Sequence, residues 1–195
     1  MAVKDSHRAR QAQATKEQVA RAARVLFAEH GYVATTIAAI SAAADIPAQT
    51  IYSAFGNKPA ILREIARIWI ADADTRRLAE ESLALADPAA RMRAAAHWHT
   101  RQFETGIDVI RIYQEAARAD PRMADELRRV WGARERELEL YLASFELSHP
   151  PDRALDILLA CTASEVYSLL VHDRGWSVAE YERWLGDCLV SQLLP

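Results

Sequence analysis

The side chains best suited to chemistry lie on a short stretch near residue 50, and the chemistry is hydrogen bonding without charge. Over about Pro47 to Ala54 the spacing predicts a helix. At roughly 100° per residue, Ile51 and Phe55 fall on one side, Gln49 and Ser53 on the other, and Thr50 and Tyr52 on the flanks. A glutamine pairs bidentately with adenine, serine and threonine bond to bases or phosphates, and a threonine methyl can touch a thymine methyl. An ordinary surface helix of this length would carry Glu and Lys instead. Just beyond, Asn57 can cap a helix begun by Pro59, where backbone N–H groups and the Lys58 ammonium make a site for an anion such as a DNA phosphate.

The elements that must hold this face can be read from their punctuation. Val19, Ala22, Ala23, Leu26 and Phe27 recur every three to four residues, and Gly31 ends that helix. Thr35 or Thr36 can cap a second helix, roughly Ile37 to Ala44, whose small residues let another helix approach closely. Pro47 then restarts the chain, since proline is tolerated only in the first turn of a helix. Three short helices with tight breaks between residues 23 and 62 have the spacing of a helix-turn-helix DNA reader.

The segment resembles the DNA-binding domain of TetR-type transcriptional repressors. The shared pattern is Leu26-Phe27, Gly31-Tyr32, Thr35-Thr36, Ile40, a turn, Thr50-Ile51-Tyr52, Phe55 and Lys58. Two departures stand out. Asp45 occupies the turn position where the family usually has glycine, and aspartate tolerates left-handed backbone better than most residues. Gln49 and Ala54 also replace the family's usual glycine and its histidine or tyrosine, so base preference cannot be borrowed. The resemblance implies that Thr36, Gln49, Thr50, Tyr52, Ser53 and Lys58 touch DNA.

Charge supports a polyanionic partner. Residues 1 to 60 carry seven Lys/Arg against four acids, a balance of +3, whereas the whole chain of 195 residues is −3. A basic end on an acidic body orients the molecule toward DNA. The segment before Thr15 reads either as a loose basic arm using Arg8 and Arg10 or as a disordered terminus. With no apolar run of about 20 residues and no signal-peptide pattern, a cytoplasmic protein without a membrane partner is expected. Cys161 and Cys188 read as buried free thiols, with a redox pair as the lesser alternative.

Beyond Pro59 the chain reads as helices throughout, giving an all-α fold of about nine helices. Residues 1–58 form the helix-turn-helix domain with its arm, and residues 59–195 a larger helical bundle. The fourth helix is expected to run to about Glu81, the fifth from Pro88 to about Glu104 and the sixth from Ile107 to Arg118. A seventh spans Pro121 to about Phe145, an eighth Asp152 to His172 and a ninth Val178 to Leu193, with Asp87, Asp120 and Ser177 at N-caps.

The last two helices carry apolar stripes, Leu155 to Leu170 and Val178 to Leu189. The resemblance implies that they form a homodimer, which would place two reading helices on a palindromic operator. It also implies a small-molecule inducer inside the helical body. Candidates for lining that cavity are Trp69, Trp98, Phe103, Tyr113, Trp131 and Tyr167, although aromatics at helical spacing are also ordinary core. His97 and His99, two apart, point to different faces and are poorly spaced for a shared metal, and no cofactor is implied. No phosphate loop, nucleophile elbow, Cys-x-x-Cys or His-Glu-x-x-His motif supports an enzyme. A helical enzyme or an adaptor without DNA binding remains the alternative, and an adaptor would leave Gln49, Thr50 and Tyr52 unexplained.

Overall fold

The computed structural model describes residues 2–195, with side chains from Ala9 onward. The described residues are helical without strands. Helix α1 spans Ala2–His30, α2 Ile37–Ala44, α3 Ala48–Phe55, α4 Lys58–Ala73, α5 Thr75–Leu83, α6 Pro88–Ala119 and α7 Pro121–Leu142. They are followed by α8 Pro151–Cys161, a short α9 Ser164–Tyr167 that runs into a π-helical turn at Ser168–Asp173, and α10 Val178–Leu193. The segment expected as a loose arm is therefore part of α1. Arg10 is exposed there, and the Arg8 side chain lies outside the described residues.

Packing divides the chain into two compact units, Met1–Trp69 with Asp108–Leu127, and Ile70–Ile107 with Arg128–Pro195. In the first, Val19, Ala23 and Phe27 of α1, Ile40 of α2, Ile51 of α3 and Ile61, Leu62 and Ile65 of α4 are buried. Each of the larger aliphatic or aromatic side chains contributes about 1.5–3 kcal/mol by leaving water. The α2–α3 turn hinges on Asp45, which adopts φ 51°, ψ 42° and donates its N–H back to Ala42 and Ser41. The left-handed turn thus survives the loss of the usual glycine.

Two helix expectations, for the fourth and the eighth, are corrected. The expected fourth helix breaks at Asp74, whose φ of 52° is left-handed and whose carboxylate instead accepts from Arg77. The expected break between the fifth and sixth helices is present within α6, as a kink with non-helical backbone at Gly106. The expected eighth is interrupted at Thr162 and Ala163, where ψ turns to 137° at Ala163. There the Thr162 hydroxyl bonds the Leu158 carbonyl at 2.7 Å, a local competitor to the helical ladder. Pro151–Asp173 contains a window with a mean hydropathy of 1.6, long and apolar enough to cross a membrane by length and composition, a test that core helices of soluble proteins also pass. The interruption at Thr162 and Ala163 divides that stretch.

In the second unit, Met92, Phe103, Leu138, Leu158, Tyr181, Leu185 and Leu189 form the core. The Cys161 and Cys188 sulfurs lie 3.5 Å apart as free thiols, and burial pushes the Cys161 thiol up to about 12. His99 is completely buried, stacked on Trp98 at 3.8 Å with its Nδ1 3.3 Å from Arg134. Burial, assisted by the Arg134 charge, holds its pKa well below 6.5.

A neutral His99 in the folded protein makes stability fall with acid. The unfolded chain takes up a proton as pH drops through about 6.5 and the folded chain does not, so unfolding becomes easier by up to about 1.4 kcal/mol per pH unit. Thermal melts of the wild type and His99→Phe between about pH 7.5 and 5 should show the steeper loss in the wild type. Parallel curves would refute this assignment.

Candidate nucleic-acid interface

The exposed face of α3 is the one drawn from the sequence. Ile51 is 1% exposed and anchors the helix, while Gln49, Thr50, Tyr52 and Ser53 all lie in solvent. Tyr52 is 51% exposed, an unusual position for an aromatic ring. The Ser53 hydroxyl donates to the Gln49 carbonyl at 2.9 Å, which directs one of its groups inward along the helix. The Gln49 amide is the longest uncharged hydrogen-bonding group on this face.

Thr36 and Thr35 divide the two capping roles left open by the sequence. The Thr36 hydroxyl accepts from the Ala39 N–H at 3.1 Å and caps α2 while remaining exposed. Thr35 is buried, its hydroxyl donating to Gly31 at 2.7 Å. Asn57 caps α4 as expected, accepting the Ala60 N–H at 2.9 Å.

Lys58, which the resemblance places at DNA, makes contacts within its own chain. Its ammonium donates to the carbonyls of Tyr32, Val33 and Thr35 at 2.6, 3.2 and 3.1 Å and lies 4.4 Å from the centre of the Tyr32 ring. These bonds occupy the donors of an ammonium, which has three. Partial burial lowers its pKa, opposed by the nearby Glu115 charge.

Glu115 is the residue that no local pattern marked. Its carboxylate accepts the Tyr32 and Val33 N–H groups at 3.0 and 3.1 Å, across 83 and 82 positions of sequence. Gly31, at φ 85°, leaves room for it: a Cβ there would stand 3.0 Å from the Glu115 Oε1. Arg24 and Asp108 add a two-pronged ion pair at 2.6 and 2.7 Å. The Gln18 amide closes the helix-turn-helix from the other side by donating to the Ala44 carbonyl at 2.7 Å. Burial, reinforced by Asp120, raises the Tyr32 hydroxyl to about 12, so the ring is a neutral wall of this assembly.

Residues 19–65 match the family of bacterial regulatory proteins, tetR family. Within these residues the chain is similar to that family. The match ends within α4 and includes the whole α2–α3 reader. Solved structures share the fold of this chain over most of its length. A putative transcriptional regulator from Saccharomonospora viridis in complex with choline has a TM-score of 0.73 at 18% identity, covering 94% of this chain and 99% of that one. The TetR-family regulator PfmR from Thermus thermophilus has a TM-score of 0.70 at 21% identity, covering 91% and 99%. FadR from Bacillus subtilis in complex with stearoyl-CoA has a TM-score of 0.71 at 17% identity, covering 90% and 97%. No curated protein matches the sequence.

The six aromatics considered for a ligand cavity are distributed between the two units. Trp69 and Tyr113 are buried in the first, where burial raises the Tyr113 hydroxyl well above its usual range, with Glu126 adding to the effect. In the second, Phe103 and Tyr167 pack at 5.2 Å, and Tyr167 meets Tyr181 edge-on at 4.9 Å, forming a buried aromatic group. Trp98 lines a cleft, and Trp131 is 38% exposed. His97 pairs with Glu182 at 3.1 Å, whereas His99 is buried, so the two histidines face different surroundings, as their spacing requires.

Lys58→Met should lower the stability of the helix-turn-helix by about 2–3 kcal/mol, because three carbonyls lose a charged donor. Gln49→Ala, on the exposed face, should stay within about 0.5 kcal/mol of the wild type. Chemical denaturation followed by circular dichroism distinguishes them; equal stability of the two variants would show the Lys58 tie to be dispensable.

Proposed function

We propose that the chain is a cytoplasmic, dimeric transcriptional regulator, most simply a repressor that leaves a palindromic operator when a small molecule binds. The observation that carries this reading is the uncharged, solvent-facing side of α3, held in place by buried Ile51 within the segment that matches the tetR family. Residues 1–58 read DNA and residues 59–195 bind ligand and a second subunit. Gln49, Thr50 and Ser53 meet bases, while Tyr52 and the Thr36 cap meet backbone phosphates. Lys58 contributes chiefly by fixing the turn that carries Thr36.

The dimer reading is supported by Pro151–Asp173, in whose apolar window only 28% of residues are buried within the chain. A second copy would cover that surface, and two-fold symmetry would present two copies of α3 to successive major grooves. Ligand responsiveness is supported by structural neighbours solved with choline and stearoyl-CoA. Ligand releases DNA only to the extent that it binds the non-reading conformation more tightly.

The test is selection of bound sites from random DNA, followed by mobility shifts over a range of salt. A two-fold symmetric sequence bound with affinity that falls steeply with salt is expected. Gln49→Ala should weaken that site by about tenfold and relax preference at one base position. Binding that ignores sequence would remove the regulator reading.

A further inference from the structure

The second unit contains a cleft of about 510 Å³ walled by α5, the first half of α6 and the later part of α7, a volume within the range of small-molecule sites. Its walls are mainly apolar: Ile70, Leu83, Trp98, Leu138, Leu140 and Tyr141. Ile70, Leu83 and Leu140 are 53%, 45% and 75% exposed, so aliphatic surface is left in water along it.

Arg76, Glu80, Arg134 and Glu137 also line this cleft, and Arg134 is the one bonded to a neutral partner. The Arg134 guanidinium is largely withdrawn from water, and burial lowers its pKa against the opposing charge of Glu135. Glu80 and Glu137 line the same cleft, but no carboxylate among the described residues forms an ion pair with Arg134. The group it does bond is neutral: it donates to the His99 Nδ1 at 3.3 Å. That bond places the His99 proton on Nε2, which is buried and has no partner. Trp98, stacked on His99, likewise has a buried Nε1–H without a partner. A half-buried cation without a bonded counter-ion and two buried, unsatisfied N–H donors are costly unless something accepts from them. Arg134, His99 and Trp98 together bring more donors than the acceptors bonded to them.

We propose that this cleft binds an apolar molecule ending in a carboxylate, with its head on the Arg134 guanidinium and the Trp98 indole N–H and its body along Ile70, Leu83, Leu138 and Leu140. The proposal rests on the ligand-receptor reading of this unit and names the chemistry of the ligand. A cationic head would meet the Arg134 charge, and a neutral head would leave it unpaired. A carboxylate matches the planar fork of a guanidinium in two hydrogen bonds.

Decanoate, decanol and decylamine, titrated into the full-length protein by calorimetry, separate head from chain. Decanoate should bind about tenfold or more tightly than either of the others. Arg134→Met should lose that preference by about tenfold while binding decanol as before, and Trp98→Phe should weaken decanoate about threefold. Without ligand, Arg134→Met should melt no lower than the wild type, because it removes an uncompensated charge. Equal affinity for decanoate and decanol, or unchanged decanoate binding in Arg134→Met, overturns the proposal. So does a dimer that Leu140→Glu dissociates while decanoate leaves it intact, which would make the cleft a subunit interface. Mobility shifts on the same samples keep the two readings apart. Specific operator binding without decanoate preference overturns only the ligand proposal; decanoate preference without specific operator binding removes only the regulator reading.

Discussion

The N-terminal reader depends on one turn, Gly31 to Thr35, whose backbone groups are satisfied by charges from distant parts of the chain. The Glu115 carboxylate takes the N–H groups of Tyr32 and Val33, and the Lys58 ammonium takes the carbonyls of Tyr32, Val33 and Thr35. A turn between helices has no ladder of its own, and buried polar backbone must find partners elsewhere. Here the partners carry opposite charge and stand close enough to influence each other. The result fixes where Thr36 begins α2, and through α2 and the Asp45 turn it fixes the direction of α3.

The same arrangement explains which face of the reader is free. Ile40 and Ile51 are buried with α1 and α4, and the Gln18 amide ties α1 to the end of α2. What remains in solvent on α3 is a set of groups that donate and accept hydrogen bonds without charge. Such a face gains little from water-exposed ion pairs and is suited to base edges, whose pattern is one of donors, acceptors and methyls.

In the second unit the governing constraint is a shortage of acceptors. Arg134, His99 and Trp98 are drawn together by packing and stacking, yet they bring more donors than the fold can satisfy. Folding places them there because the surrounding aliphatic core gains more from burial than three polar groups lose. Such an imbalance is tolerated most readily at a site completed by another molecule. The aromatic group of Phe103, Tyr167 and Tyr181 is enclosed in the core, where the Tyr181 hydroxyl is likewise buried without a partner.

Local chemistry made much of the reader legible in the sequence. Glycine, threonine, proline and asparagine act within a few residues, so the ends of α1 and α2, the start of α3 and the Asn57 cap follow from residue type, and a period of 3.6 separates Ile51 from Gln49. The break at Asp74 and the interruption at Thr162 were hidden because aspartate and threonine are also ordinary helix residues, and what decides is the backbone partner each finds. The role of Lys58 was hidden for the same reason: an ammonium suits phosphate or carbonyl oxygen equally well, and only its place beneath the Tyr32–Thr35 turn selects the carbonyls. Glu115, Arg134 and His99 lie furthest from sequence logic. Their partners are 83, 35 and 35 positions away, so tertiary packing decided which polar groups meet and which are left without a partner.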